Sequence, residues 1–418
     1  MNEDKPSLEP FEEVQIKNSK RSKLGQFKSL ITSRFLLPKS DNEKLRRKLD
    51  EVKSKIPVPV IWLFGKTQSG KTSIIRALTG ADRAEIGNGF QSCTKFSSKY
   101  FFPDESDKLI EFLDTKGIGE TTYDPSDDIG AFIEIAHMLV VVVKSSDFAL
   151  DSMISSLSKI IRSKKNIPVL VVQSHLHELY EIDRKDHIYP HIYKDLDDSR
   201  IPNEIKRTLV SQRELFKTIS KNFVVVDLTL PEDGFSETDY GADILFDEIC
   251  NLLPFSYRMI FQQIKEVNTD FRKLFNNQSY GHILFYSITS GLVAAVPIPF
   301  AVLPLLSGIQ VKMLHSISSI YGNPLGYKIF REIAATIGLG FLVRQGGREL
   351  LKFLPGIGSV VSAIYAASTT FALGMTFCYY FSLPKHQREH PVLKEYYKEQ
   401  VLNAKEYFKR FFENYKKQ

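Results

Sequence analysis

Residues Gly65-Lys66-Thr67-Gln68-Ser69-Gly70-Lys71-Thr72 have the spacing G-x-x-x-x-G-K-[ST], and those residue types prescribe a chemistry. Glycines at both ends let the backbone wrap tightly, so that successive N–H groups converge on an anion. Lys71 brings a positive charge for the outer phosphates, and the Thr72 hydroxyl is a hard oxygen ligand suited to Mg2+. The loop follows a predicted strand and opens a predicted helix, whose N-terminus adds a favourable dipole. Residues 65 to 73, Ser73 included, are the expected phosphate contacts of a nucleotide.

A second group follows at Asp114-Thr115-Lys116-Gly117, just past the predicted strand Leu109–Leu113. There Asp114 would join the Mg2+ shell, and Gly117 would offer its N–H to a terminal phosphate. Thr94, in a loop after Gly87 and Gly89, is read either as a Mg2+ ligand recruited by triphosphate or as a surface threonine. His175, His177, His187 and His191 cluster without any zinc-binding spacing. No Ser/His/Asp or paired-carboxylate arrangement stands out.

The elements that must hold these groups alternate. Short apolar strands are predicted at 58–64, 95–102, 109–113, 138–143, 169–172 and 223–226, with helices near 69–79, 127–136, 151–162 and 203–221. This pattern predicts an α/β, three-layer P-loop fold with a largely parallel sheet, over residues 57–256. Before it, residues 1–56 read as a polar arm and an amphipathic helix.

Beyond residue 256 the pattern turns helical. Leu274–Val311 and Phe353–Pro384 contain no Asp, Glu, Lys or Arg, and each is long enough to cross a bilayer. Prolines at 297, 299, 304 and 355 break both. The region 257–384 is therefore expected to be a hydrophobic α-helical domain, either entering a membrane as hairpins or packing as a bundle. Ala301–Tyr321 and Ile357–Phe381 share a cadence that reads as a weak repeat. Residues 385–418 form a basic amphipathic helix, lying on lipid or docking on the bundle.

Composition narrows the class. With 43% hydrophobic and 25% charged residues the chain is globular, and three scattered cysteines exclude a disulfide framework. The first residues are acidic and lack an apolar core, so no secretory signal is expected. Residues 1–56 hold 14 Lys/Arg against 9 Asp/Glu, and 385–418 hold 9 against 5. Basic ends of this kind are solvated helices or membrane contacts, and no nucleic-acid partner is expected. The expected location is cytoplasmic, at the inner face of a membrane.

On the motifs Gly65–Thr72, Thr94 and Asp114–Gly117 the chain resembles the Era-like branch of small GTPases. The segments Val296–Pro299, Gly308–His315 and Gly347–Gly358 are similar to a YcjF-like hydrophobic C-terminal domain fused to such a GTPase. The resemblance implies GTP/GDP and Mg2+ as cofactors, with Lys71, Thr94 and Gly117 as catalytic residues and Thr72, Thr94 and Asp114 as metal ligands. It further implies slow hydrolysis and a GTP-dependent switch of both loops, which the apolar half of the chain would link to a membrane; a homo-dimer through the G domain is the other partner considered. Ile118 stands where Ras-type enzymes carry a catalytic glutamine. In place of N/T-K-x-D for the base, the chain has Gln173-Ser174-His175-Leu176-His177-Glu178, so Gln173, His177 and, further on, Asp227 are the candidate base contacts. Asp227 also reads as a plain strand-end turn. Two other readings stay open: a nucleotide-stabilised interaction module, and an ATP-binding relative.

Overall fold

In the computed structural model, which describes residues 47, 50–81, 90–92, 97–115, 130–164, 166–181, 184–271, 277–295, 302–322, 359–383 and 390–415, the strands form one mixed sheet. Strand β1 (Val60–Gly65) runs through the glycine loop into helix α1 (Lys71–Thr79). Next come β2 (Phe90–Ser92), β3 (Ser97–Phe102), β4 (Ile110–Thr115), β5 (Met138–Lys144), α2 (Asp151–Ser163) and β6 (Val169–Ser174). Helix α3 (Asn203–Leu215), β7 (Phe223–Val225) and α4 (Ala242–Leu252) complete this half. The order across the sheet is β2-β3-β4-β1-β5-β6-β7. Strands β4, β1, β5, β6 and β7 are parallel, and β3 pairs antiparallel with β2 and β4.

Period-two alternation sends each strand's side chains to two cores. Ile61, Leu63, Met138, Val140 and Val142 face one, while Trp62, Phe64, Leu139, Val141 and Val143 face the other. The second is closed by Met153, Leu157 and Ile160 of α2 with Phe132 and Phe216. Of the helix expected near 127–136 the described residues 130–132 are helical and 133–136 are not, and α3 comes out shorter than expected, stopping at Leu215 where Phe216 turns fully into the core. Strand β2 falls where a loop was expected.

The chain continues as α5 (Phe255–Phe271), α6 (Asn277–Ala295), α7 (Val302–Ile320), α8 (Ser359–Ser382) and α9 (His390–Tyr415). Helix α8 is flanked by α6 and α9, and α7 packs on both α6 and α8. Gly291 and Gly374 allow the close approach: a Cβ on Gly374 would lie 2.7 Å from Ile283 Cγ1. Within the interface Thr370 Oγ1 donates to Ser290 Oγ at 3.1 Å and accepts from Gln310 Nε2 at 3.2 Å. Residues Val360–Ser382 are apolar and long enough to cross a membrane, yet 78% of their most apolar stretch is buried in the protein. The apolar face of α9 docks on this bundle through Leu393, Ala404, Phe408, Phe411 and Phe412. One buried cluster runs unbroken from the sheet face under α1 and α4 into α6, α8 and α9.

A polar joint lies where the β3–β4 turn meets α6. Lys53 Nζ binds Asp107 Oδ1 at 2.8 Å, His282 Nδ1 lies 3.4 Å from Asp107 Oδ2, and His282 Nε2 lies 3.5 Å from Asp104 Oδ2. The two ring nitrogens point apart and face different carboxylates, so the trio clamps the two halves and is not shaped to chelate one ion. Burial pushes the Asp107 carboxyl up, but hydrogen bonds from His282, Lys53 and Tyr286 outweigh it and hold it at about 2. A carboxyl depressed on folding contributes stability above its unfolded value of 3.8, lost as pH falls through the folded one. About 2 kcal/mol should therefore disappear between roughly pH 4 and pH 2. Asp107→Ala, which strands Lys53 and His282, is expected to cost about 3 kcal/mol by urea unfolding at pH 7. A change below 0.5 kcal/mol, the scale of an ordinary surface substitution, would mean the joint is solvated in solution.

Candidate functional site

The glycine loop is built by contacts that only glycine permits. A Cβ on Gly65 would lie 2.4 Å from Val142 O on β5 and 2.7 Å from Ser69 Oγ. Gly70 has φ 98° and lies under the His175 ring, where the left-handed backbone excludes most side chains. Helix α1 begins at the next residue, so its free N–H groups face the loop. Lys71 is nearly buried. Its Nζ donates to Gly65 O at 2.8 Å and Lys66 O at 2.9 Å, and lies 3.8 Å from Asp114 Oδ1.

Burial lowers the pKa of the Lys71 ammonium, against the pull of Asp114. Asp114 ends up here because β4 pairs with β1 in a register that sets it opposite Leu63, two residues before the loop. Lys66 is spent outward, on Asp147 Oδ2 at 2.8 Å and Ala149 O at 2.7 Å. The buried Ser69 hydroxyl has no hydrogen-bond partner among the described residues. A glycine cradle, a retracted ammonium and an orphaned hydroxyl fit a bound polyphosphate. Thr72 at the helix start and Asp114 supply the oxygen donors Mg2+ prefers. Thr94, Gly117 and Ile118 lie outside the described residues.

A cavity of about 370 Å³ opens beside the loop at Gly70 and Ser73 and extends to the ends of β6 and β7. His177 and Asp227 share it. The carboxylate accepts from His177 N and from His177 Nδ1, both at 2.7 Å. The Asp227 hydrogen bond outweighs desolvation and raises His177 above the usual imidazole value. Lys185, Thr229, Asp233 and Phe235 complete the wall. Arg76 on α1 holds this far side in place through Leu228 O at 2.9 Å and Asp239 Oδ1 at 2.7 Å.

The expected base contacts separate. His177 and Asp227 line the cavity, whereas Gln173 is fully buried and points to α3. Its Nε2 donates to Gln212 Oε1 at 2.9 Å and its Oε1 accepts from Arg213 Nε at 2.9 Å. Glu178 is held off the cavity by Lys144, at 2.6 Å, and by Ser146. Lys185, Thr229, Asp233 and Phe235 escaped the sequence reading. For Thr229, Asp233 and Phe235 the one signal was proximity to Asp227 in sequence, and for Lys185 proximity to His177; the pairing of 227 with 177 is not local.

With this geometry in hand, comparisons with known proteins bear on the same half. Residues 60–175 match the family described as 50S ribosome-binding GTPase. The chain is 25% identical over 100 residues to magnetosome membrane protein 22 of Magnetospirillum gryphiswaldense, covering 22% of this chain and 51% of that protein. It thus spans about half the length of that curated relative. Among solved structures, the G domain of the FeoB iron transporter of T. maritima aligns at TM-score 0.28 and 16% identity, over 47% of this chain and 99% of that one. A probable GTP-binding protein, EngB, aligns at TM-score 0.26 and 17% identity, over 46% and 97%. The residues that match the GTPase family model, 60–175, are those that carry β1, the phosphate loop and Asp114.

Proposed function

We propose that the protein binds GTP with Mg2+ on Gly65–Ser73, hydrolyses it, and uses the nucleotide state as a switch at a membrane. The observation that carries the reading is Lys71, buried against two loop carbonyls and 3.8 Å from Asp114, a charge stored where phosphate would take it. When bound, Mg2+ supplies charge neutralisation at the outer phosphates. Thr72 and Asp114 would hold it, with Thr94 added in the triphosphate state. Lys71 would leave the carbonyls of Gly65 and Lys66 for a phosphate oxygen, and Gly117 would donate its N–H to the terminal phosphate. With Ile118 in the glutamine position, the water must be oriented by backbone or by a second copy of the chain. That fits a homo-dimer through the G domain in an Era-like, YcjF-like protein.

The route to the helices would be β4, which carries Asp114 at one end and the Asp107 joint before the other. Membrane engagement draws support from the apolar span Val360–Ser382 and from the word membrane in the name of the magnetosome relative. The domain limits 57–256 and 257–384, the tail 385–418 and an inner-face location belong to the same proposal. The burial of α8 favours a second reading, a nucleotide-stabilised interaction module with negligible turnover.

Single-turnover hydrolysis by the full chain, with and without anionic liposomes, separates the two. Turnover quickened by liposomes supports the switch. No turnover in either condition, with GTP bound, supports the module.

A further inference from the structure

The missing base motif leaves a question the cavity can answer, granted that it receives a nucleotide base as proposed above. Within it His177 is fixed by two hydrogen bonds, one from its backbone N–H and one from ring Nδ1, to one buried carboxylate, that of Asp227, which is 1% exposed. Nδ1 is consumed by Asp227, so Nε2 at the far edge of a one-third-exposed ring is the atom left to meet a ligand. The hydroxyl of Thr229, in the cavity wall and 4% exposed, has no hydrogen-bond partner among the described residues. A buried orphan in a cavity wall points to a ligand group that completes it.

We propose that the His177–Asp227 pair selects the base: Nε2–H of His177 donates to the 6-keto oxygen of a 6-oxopurine nucleotide and rejects the 6-amino group of adenine. Guanine presents acceptors at O6 and N7, whereas adenine presents an amino donor at position 6. A doubly protonated imidazole has only donors to offer, so it matches the keto group and opposes the amino group. The neutral ring keeps its proton on Nδ1 for Asp227 and turns Nε2 into an acceptor, which reverses the preference. Selection is therefore coupled to one proton.

The groups around His177 leave it the titrating one. Glu178 on its own turn and Asp227 and Asp233 from the loop after β7 all favour the imidazolium. Across the cavity stand Lys185 and, on α1, Arg76, which is paired with Asp239. His175, with its ring 5.8 Å away, and His187, 4.0 Å from Asp227, are both pushed by burial towards the neutral form. Reading at O6 makes no use of the 2-amino group. ITP, which lacks that group and keeps the keto oxygen, should therefore bind like GTP.

The experiment is calorimetry of the full chain with Mg2+ and GTP, ITP or ATP between pH 5.5 and 9, repeated on Asp227→Asn. The isosteric amide still accepts from His177 N, but its NH2 now donates to Nδ1 and so keeps the ring proton on Nε2 whether or not the ring is charged. Expected for the wild type are GTP and ITP within about threefold of each other, and a preference over ATP of roughly 10- to 100-fold at low pH. That preference should collapse in the wild type as pH rises through the His177 transition, whereas Asp227→Asn should keep it across the range. The proposal is overturned by ITP binding that is tenfold weaker than GTP, which would put the reading at the 2-amino edge. A wild-type preference flat in pH overturns it equally, as does an Asp227→Asn preference that collapses at high pH like the wild type's, or one pH dependence shared by all three nucleotides. Failure of every nucleotide to bind at any pH would instead sink the phosphate site, a distinguishable result.

Discussion

Lys71→Met should eliminate the stabilisation of the protein by Mg2+ and GTP while leaving the apo protein as stable as the wild type, or more so. The two halves of that expectation have one cause. In the structure the ammonium is buried on carbonyls of Gly65 and Lys66, and burial lowers its pKa. A lysine whose pKa is depressed on folding costs stability below that pKa and ceases to cost it above. Methionine keeps the aliphatic stem and removes this cost, although it leaves the nearby Asp114 with less compensation. Against the outer phosphates the same charge is worth about 3 kcal/mol or more, so affinity should drop at least ~100-fold. Thermal unfolding with and without nucleotide measures both halves. At ~100 times the wild-type dissociation constant the wild type gains about 2.7 kcal/mol, and the variant should gain at most about 0.4 kcal/mol. Retained stabilisation by GTP in Lys71→Met would remove Gly65–Ser73 from the nucleotide site.

The second large effect is expected far from the loop. Gly291→Val should expel α9 from the bundle. A Cβ at Gly291 would lie 2.1 Å from Cζ of Phe412 and 3.0 Å from the backbone oxygen of Ala363. The ring can move only by leaving a pocket it fills at 2% exposure, and the backbone of α8 cannot move without its neighbours. Overpacking of this kind costs about 3 kcal/mol, with the branched side chain adding helix strain. Phe412→Ala in the same chain should recover part of the loss by making room. Gly308→Ala is the matched control on α7: nothing lies within 4 Å of its Cβ, so gained helix propensity should stabilise by about 0.5 kcal/mol. Urea unfolding gives the energies, and limited proteolysis of α9 gives the site of damage. Equal behaviour of Gly291→Val and Gly308→Ala would mean that α9 does not rest on α6 in solution.

What could be read from the sequence was what is local. The phosphate loop is eight consecutive residues, and its glycines announce their geometry before any fold is known. Strands β1, β5 and β6 were legible because unbroken apolar runs of four to six residues are buried on both sides. The side of a strand end was not legible. Gln173 and Ser174 are neighbours, yet Gln173 points to α3 while Ser174 Oγ donates to Ser69 O of the loop at 2.7 Å. The sheet register alone decides which faces the cavity. His177 and Asp227 were each suspected separately, but their partnership depends on β6 and β7 being adjacent. The hydrophobic half had two readings because a helix apolar all round satisfies lipid and protein neighbours alike, and only the packing of α6 and α9 on α8 tells what covers it here.

The unbroken apolar cluster between sheet and bundle bears on how the molecule comes apart. Met259, Ile260 and Ile264 of α5 lie in the same cluster as Leu245 and Ile249 of α4 and as Ile283 and Phe285 of α6. Cutting the chain after residue 256 would therefore open an oily wound on the sheet half, of the kind that drives aggregation. Heat should melt the two halves together, in a single calorimetric peak whose van't Hoff and measured enthalpies agree. The chain would then behave as one cooperative body with two chemistries, in which a ligand held at one end tightens the other.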